Sequence, residues 1–176
     1  GYLIGGVRSA LVVAALTLFI ALSPWWDRAL VTLYMATFGV VISCLIGFTV
    51  GTLCFQNKKS AAFMLGVCDI FQTFPSFVYL IPVMMLFGIT DTSVLIAVIV
   101  YATIPATRYT IEGLRSVPVG LHEAATMSGV NKFQRLTKIE FPLAFPHMML
   151  GLNQTIVFAL FMVIIGAFIG TEDLGQ

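Results

Sequence analysis

Long apolar segments separated by short polar ones restrict what this 176-residue chain can fold into. A helix needs about 20 apolar residues to cross the hydrocarbon of a bilayer, and five segments meet or approach that length. They cover approximately residues 7–23, 29–55, 61–88, 93–109 and 148–170. Because lipid offers the backbone no hydrogen-bond partners, the sequence predicts an all-α, polytopic transmembrane helical bundle. We expect residues 1–176 to form a single transmembrane domain.

Composition agrees with lipid as the main solvent. Charged residues make up 10% of the chain, whereas a soluble domain has about 25%. The net charge of +1 gives no general attraction to nucleic acid, which is not expected as a partner. The three cysteines lie singly in apolar stretches, so we predict buried thiols and no metal site. A membrane enzyme is disfavoured because the spans contain no paired carboxylates or Ser/His set.

The placement of Lys and Arg predicts how the chain is oriented. If five helices alternate in direction, eight of the nine cations fall on one face, and only Arg28 falls on the other. Cytoplasmic loops are enriched in Lys and Arg, so the cation-rich face is predicted to be cytoplasmic. That face includes the polar segment 118–142, between the fourth and fifth spans.

The polar segment 118–142 has the pattern of a short helix within a loop. Pro118 suits the start of a helix, the Glu-Ala-Ala run at 123–125 favours it, and Gly129 ends it. A second helical stretch is predicted to stop before Pro142. A short cytoplasmic helix is suited to binding in a groove of another protein, but a solvated loop without a partner explains the same composition equally well.

The spacing within this loop resembles the EAA loop of ABC importer permeases. In that family the loop forms a coupling helix that binds in a cleft of the cytoplasmic ATPase. The family usually has Leu where this chain has Phe141. The residues that carry the resemblance, and to which it assigns coupling, are Glu123, Ala124, Ala125, Gly129 and Pro142.

Two further segments resemble the glycine betaine/proline betaine permeases, which transport quaternary amines. FQTFPSFVYLIPVMMLFGI, residues 71–89, resembles their third span. GLNQTIVFALFMVIIGAFIGTEDLG, residues 151–175, resembles the span that follows their EAA loop, although the turn at 170–175 departs from the usual GAGGLG. The resemblance implies a type I ABC importer permease fold in the bacterial cytoplasmic (inner) membrane. Because those permeases continue after this turn, we expect a further helix to follow.

The resemblance also implies partners and a cargo class. The partners are a cytoplasmic ABC ATPase, a periplasmic or extracellular substrate-binding protein and a second permease copy. The chain has no GxxxxGK(S/T) motif, so ATP and Mg²⁺ are expected on the ATPase. No cofactor or catalytic residue is expected in this chain. The implied cargo is a small quaternary or methylated amine: glycine betaine, choline, carnitine or trimethylamine N-oxide.

Two alternatives to this function stay open at the level of sequence. The first is an ABC permease for methionine or another amino acid, since specificity largely resides in the binding protein. The second is an ATP-independent channel or carrier. It predicts transport without any ATPase, and no effect of changing the loop.

Polar residues within the spans mark the predicted substrate route, because such residues are costly in lipid. Pro75 disfavours helix at Phe74, and a broken helix at membrane depth is tolerated only beside protein or a cavity. A kinked, packed helix with interhelical hydrogen bonds explains the same residues. Asp69 either attracts a cationic head group or pairs with a nearby cation. The candidate route consists of Gln72, Thr73, Pro75 and Ser76 in the third span and Asn153, Gln154 and Thr155 in the fifth.

Two other patterns have a functional and a packing interpretation. Aromatic residues between Phe71 and Tyr79 would suit a cation–π cage for a quaternary ammonium, although packing is the commoner use of such a stripe. Gly47–Gly51 and Gly166–Gly170 are GxxxG patterns. They predict close helix contacts, either within the subunit or across a dimer.

Overall fold

The computed structural model describes residues 2–169, with side chains from Val7 onward, and the regular elements in that range are all helical. The predicted end of the fifth span at residue 170 and the turn at 170–175 lie outside the described residues. So does the second glycine of the Gly166–Gly170 pattern. In chain order the elements are α1 (Tyr2–Ala21), α2 (Trp26–Phe55), α3 (Lys58–Thr73), α4 (Phe77–Phe87), α5 (Asp91–Arg115), α6 (Val119–Met127), α7 (Lys132–Arg135), a π-helical turn (Leu136–Glu140) and α8 (Phe141–Ala167).

Several of these helices are long and apolar enough to cross a membrane. They are α2, α5 and the helical path Lys132–Ala167, and the bent pair α3 and α4 also passes when taken as one span. Helix α1 contributes a shorter apolar stretch, Val7–Ala21. The multi-pass, all-helical architecture is therefore confirmed, whereas the count of five spans stays a prediction.

Helix α5 packs against α2 through glycines that leave no room for a side chain. The contacts occur in the same order along both helices, so α2 and α5 run parallel. This is the relation expected of spans two and four when the direction alternates. The facing pairs are Gly39 with Val98, Gly47 with Ala106 and Gly51 with Thr110. The first GxxxG pattern thus makes its contact within this subunit.

Helix α8 packs against α5 in the same manner but in the opposite direction. Gly151 faces Tyr109 near the end of α5, whereas Gly166 faces Val94 near its start. Cβ atoms added at these two glycines would lie 2.7 and 2.6 Å from the facing side chains. The antiparallel arrangement is the one expected of spans four and five.

The third predicted span is broken where Pro75 predicts it. Helix α3 ends at Thr73, and Phe74 is extended, with φ −75° and ψ 139°. The axis of α4 is bent by 85° from that of α3. The break follows because the proline ring disfavours helical backbone at the residue before it.

The prediction that the second helical stretch stops before Pro142 is wrong. Helix α7, the π-helical turn and α8 form one helical path over Lys132–Ala167. Pro142 lies in the first turn of α8, directly after the π-helical turn. Proline has no amide to donate, and the π-helical turn directly before it is where the regular hydrogen-bond pattern of the path is already interrupted. The final membrane helix is therefore continuous with the polar loop, and it begins before the predicted residue 148.

Gly51→Val tests the glycine contact between α2 and α5. A Cβ at Gly51 would lie 2.6 Å from Thr110 Cβ, and overpacking of this kind costs about 1–3 kcal/mol. We expect a lower melting temperature for the detergent-purified full-length protein. Gly66→Val in α3 is the matched control, since a Cβ there meets no atom within 4 Å. Equal destabilisation by both variants would contradict the contact.

Candidate coupling surface and substrate route

Helix α6 is the short helix predicted within the polar loop. It spans Val119–Met127 with Pro118 at its N-cap. Gly129 follows with φ +71°, a left-handed conformation that glycine adopts without strain. The amide of Val130 donates to the carbonyl of Ala125 at 3.1 Å, which closes the C-terminal end. The predicted helix and its stop at Gly129 are confirmed.

One side of α6 is packed and the other is open. Ala125 is buried, with 5% exposure, whereas Glu123 and Ala124 are exposed. Met127 is 92% exposed. Glu123 and Met127 are four residues apart, so their side chains lie on the same face of α6. We call the exposed residues Glu123, Ala124 and Met127 the docking face.

Three of the motif residues meet in a shallow cleft next to the docking face. Ala124, Ala125 and Pro142 all line this cleft, whose volume is about 530 Å³. Glu123 lines an adjacent depression together with Met127. Gly129 borders neither in the described structure, and its contribution is the backbone turn.

A buried carboxylate connects α6 to the base of α8. Glu140, in the π-helical turn, has a side chain that is 2% exposed. Arg135 Nε donates to Glu140 Oε1 at 2.9 Å, and His122 Nδ1 of α6 lies 3.1 Å from the same oxygen. A buried carboxylate is costly unless it is paired in this way. We call this group of three residues the Glu140 anchor.

Gln72 connects the bend between α3 and α4 to α5. Its side-chain oxygen accepts a hydrogen bond from Arg108 Nη1 at 3.1 Å. Thr73 and Pro75 are exposed and Ser76 is half-buried. The hydroxyl of Thr73 donates to the carbonyl of Ile70 at 2.7 Å. Gln72 thus lies in a network between two helices, while Thr73 is bonded within its own helix.

Arg108 is the centre of that network. Its guanidinium also donates to Asp69, and its Nε donates to Glu112 Oε1 at 3.0 Å. The interpretation that Asp69 pairs with a nearby cation is therefore confirmed. The side chains of Asp69, Arg108 and Glu112 are 59%, 30% and 38% exposed. We call these three residues and Gln72 the Arg108 network.

The Arg108 network indicates which side of the bundle faces away from lipid. Its members lie on α3 and α5, both of which belong to candidate spans. Charged side chains at membrane depth face protein or a water-filled cavity, because lipid does not solvate them. The charged surface of α3 and α5 is therefore not one that lipid chains cover.

The candidate route residues in α8 are divided by the packing. Asn153 is exposed and Gln154 is half-buried. Thr155 is fully buried, and its hydroxyl donates to the carbonyl of Gly151 at 2.8 Å. The structure therefore places the side chain of Thr155 in the packed interior, not on an open surface. A role for Asn153 and Gln154 in the route stays a prediction.

The aromatic residues between Phe71 and Tyr79 are likewise divided between packed and exposed positions. Tyr79 is buried, its hydroxyl donates to the carbonyl of Phe71, and its ring lies 5.1 Å from that of Tyr101. Tyr101 in turn stacks on Phe158 of α8 at 4.7 Å. Tyr79 is thus a packing residue, whereas Phe74 is 42% exposed beside the bend.

The Glu140 anchor and the Arg108 network include residues that the sequence alone did not assign to a site, chiefly Glu140 and Arg108. The approach of Glu140 to His122, and of Arg108 to Asp69, depends on tertiary packing. One local signal was present: Arg108 and Glu112 are four residues apart, a spacing at which opposite charges pair on a helix.

Comparison with known proteins agrees with the family resemblance. Residues 39–176 match the model of the family described as binding-protein-dependent transport system inner membrane component. The chain is 89% identical over 176 residues to the trimethylamine N-oxide transport system permease protein TmoV of Pelagibacter ubique, covering 100% of this chain and 24% of that protein. It is 50% identical over 174 residues to TmoV of Ruegeria pomeroyi, covering 99% and 26%. The chain thus spans about a quarter of the length of these two relatives.

The glycine betaine/proline betaine permeases are also among the relatives, as the motifs predicted. The chain is 38% identical over 151 residues to the glycine betaine/proline betaine transport system permease protein ProW of Escherichia coli, covering 86% of this chain and 43% of that protein.

Among solved structures, the fold is similar to a chain of the MetNI methionine ABC transporter in an inward-facing conformation. The TM-score is 0.71 with 23% sequence identity, covering 83% of this chain and 74% of that chain. This likeness confirms the predicted ABC importer permease fold. With the family match over residues 39–176, the chain belongs to the binding-protein-dependent transport system inner membrane components.

Proposed function

We propose that this chain forms the membrane-spanning part of an ATP-driven importer for a small quaternary or methylated amine. The observation that carries the proposal is the 89% identity over the whole chain to a trimethylamine N-oxide permease. Trimethylamine N-oxide is therefore the first candidate cargo, and glycine betaine, choline and carnitine belong to the same class. Methionine receives less support, because the likeness to the methionine transporter is at 23% identity.

The proposed machine needs partners outside this chain. A cytoplasmic ABC ATPase carries ATP and Mg²⁺, and a substrate-binding protein delivers the cargo on the periplasmic or extracellular side. A second permease copy completes the route in the bacterial inner membrane. Helix α6 exposes the apolar side chains of Val119, Leu121 and Met127. This supports an ATPase partner that binds the helix, because an ATP-independent carrier needs no protein bound at this loop.

In the proposed coupling step, the ATPase binds the docking face and moves α6. The Glu140 anchor joins α6 to the π-helical turn through His122 at 3.1 Å. Because the helical path is continuous over Lys132–Ala167, movement of the anchor also moves α8. Helix α8 packs directly on α5 through Gly151 and Gly166, so α5 responds in turn.

The proposed route passes the Arg108 network. This network lies beside the bend between α3 and α4 and contains one guanidinium and two carboxylates. An N-oxide or a betaine has a negative oxygen and a positive nitrogen, so charges of both signs match such a cargo. Partial exposure of the three charged side chains leaves them accessible to a cargo that must also leave.

Changing Glu123 of the docking face, and Gly129 in the turn that follows α6, tests the coupling. We expect Glu123→Ala and Gly129→Val to abolish most cargo-stimulated ATP hydrolysis by the full permease, its ATPase and its binding protein in liposomes. Glu123→Ala removes an exposed carboxylate. In Gly129→Val, the valine is strained because the backbone at position 129 has φ +71°. Lys59→Ala, at the start of α3, is the control. Full stimulation in both variants would favour the solvated-loop interpretation.

Changing the Glu140 anchor separates binding of the ATPase from transmission. His122→Ala removes one partner of Glu140 and keeps the other, Arg135 at 2.9 Å, so the carboxylate stays paired and we expect the fold to be retained. We expect the ATPase to co-purify as with the wild type, while cargo transported per ATP hydrolysed falls several-fold. His147→Ala replaces an exposed histidine on α8 and is the control. An unchanged ratio in His122→Ala would show that the anchor transmits nothing.

Changing Asp69 tests the route. Asp69→Asn keeps a hydrogen-bond acceptor for Arg108 but removes one carboxylate charge. We expect uptake of radiolabelled trimethylamine N-oxide to fall about fivefold, which corresponds to about 1 kcal/mol, with an unchanged melting temperature. Asp91→Asn, an exposed acid at the first residue of α5, is the control. Normal uptake with a lowered melting temperature would assign the network to packing alone.

A further inference from the structure

A cleft lined by basic residues lies at one end of the bundle, between the polar loop 118–142 and the ends of the longer helices. Its volume is about 580 Å³. The end of α2, the start of α3 and the end of α5 form one wall, and α6, α7 and the π-helical turn form the other. The docking-face residues Glu123, Ala124 and Met127 are not among those that line it.

Positive charge predominates in this basic cleft. Glu140 is the carboxylate among the described lining residues, and Arg135 and His122 already pair with it. Within the described part of the chain, the other three cations have no carboxylate within 4.0 Å. The cationic residues of the lining are Lys58, Arg115, Lys132 and Arg135.

The basic cleft lies at the ends of helices that belong to the candidate spans. Arg115 is the last residue of α5, and Lys58 is the first residue of α3. The neighbouring residues Phe55 and Leu114 line the same cleft with apolar side chains. Cations and apolar groups thus share one cavity at the ends of the candidate spans.

We propose that the basic cleft binds the headgroup of an anionic glycerophospholipid of the surrounding membrane. Lys58, Arg115 and Lys132 contact the phosphate, and the apolar wall accommodates the glycerol and the first methylenes. Basic pockets beside membrane helices attract anionic headgroups in this way. The bound lipid bridges α7 to the ends of α3 and α5, and so stabilises the position of α6. This inference does not depend on the cargo.

Lipid binding to the full-length permease tests the proposal. The delipidated, detergent-purified protein is titrated with phosphatidylglycerol or with phosphatidylcholine of the same acyl chains, and bound lipid is counted by native mass spectrometry. We expect a preference for phosphatidylglycerol. The double variant Lys58→Gln/Lys132→Gln should weaken its binding about 30-fold. The matched double variant Lys59→Gln/Lys138→Gln removes two neighbouring cations outside the cleft and should bind as the wild type does.

Four results would overturn the proposal. Equal binding of the two lipids, or equal weakening by both double variants, would mean that the cleft is not a lipid site. Displacement of phosphatidylglycerol by excess inorganic phosphate would identify free phosphate as the ligand. Unchanged lipid binding in Lys58→Gln/Lys132→Gln, with loss of the co-purifying ATPase, would assign the cleft to the ATPase.

Discussion

The close contact of α5 with α2 and α8 determines where every candidate site lies. In lipid the hydrophobic effect does not hold helices together, so their association depends on packing at short range. Glycines at the contacts allow this approach, with Gly51 against Thr110 and Gly166 against Val94. Helix α5 thereby holds Arg108 opposite Asp69, and it holds Arg115 next to the loop helices.

Local backbone chemistry could be read from the sequence, and long-range pairing could not. The break before Pro75 and the stop at Gly129 each follow from the conformational preferences of one residue, and both were predicted. Pro142 was misjudged because its tolerance depends on the π-helical turn before it, which leaves no mark in the sequence. The partner of Glu140 on α6 becomes identifiable only when the loop has folded back.

The Glu140 anchor and the Arg108 network differ in burial, and the difference suits different tasks. Glu140 is almost completely buried, so its pairing is tied to one position of α6 relative to α8. A buried pair of this kind adds little net stability, because the cost of desolvating the two charges offsets their attraction. The charges around Arg108 remain partly exposed, so they can exchange partners at a smaller cost in free energy.

The uninterrupted helical path from the loop into the membrane has a mechanical consequence. Its 36 residues correspond to about 54 Å of helix, at about 1.5 Å per residue. Helix α8 contacts α5 at Gly151 and again at Gly166, which is about 22 Å further along the helix. Because two separated contacts join the helices, a displacement of the loop end moves α5 together with α8. The opposite side of the membrane can thus respond to events at the loop through a single stretch of backbone.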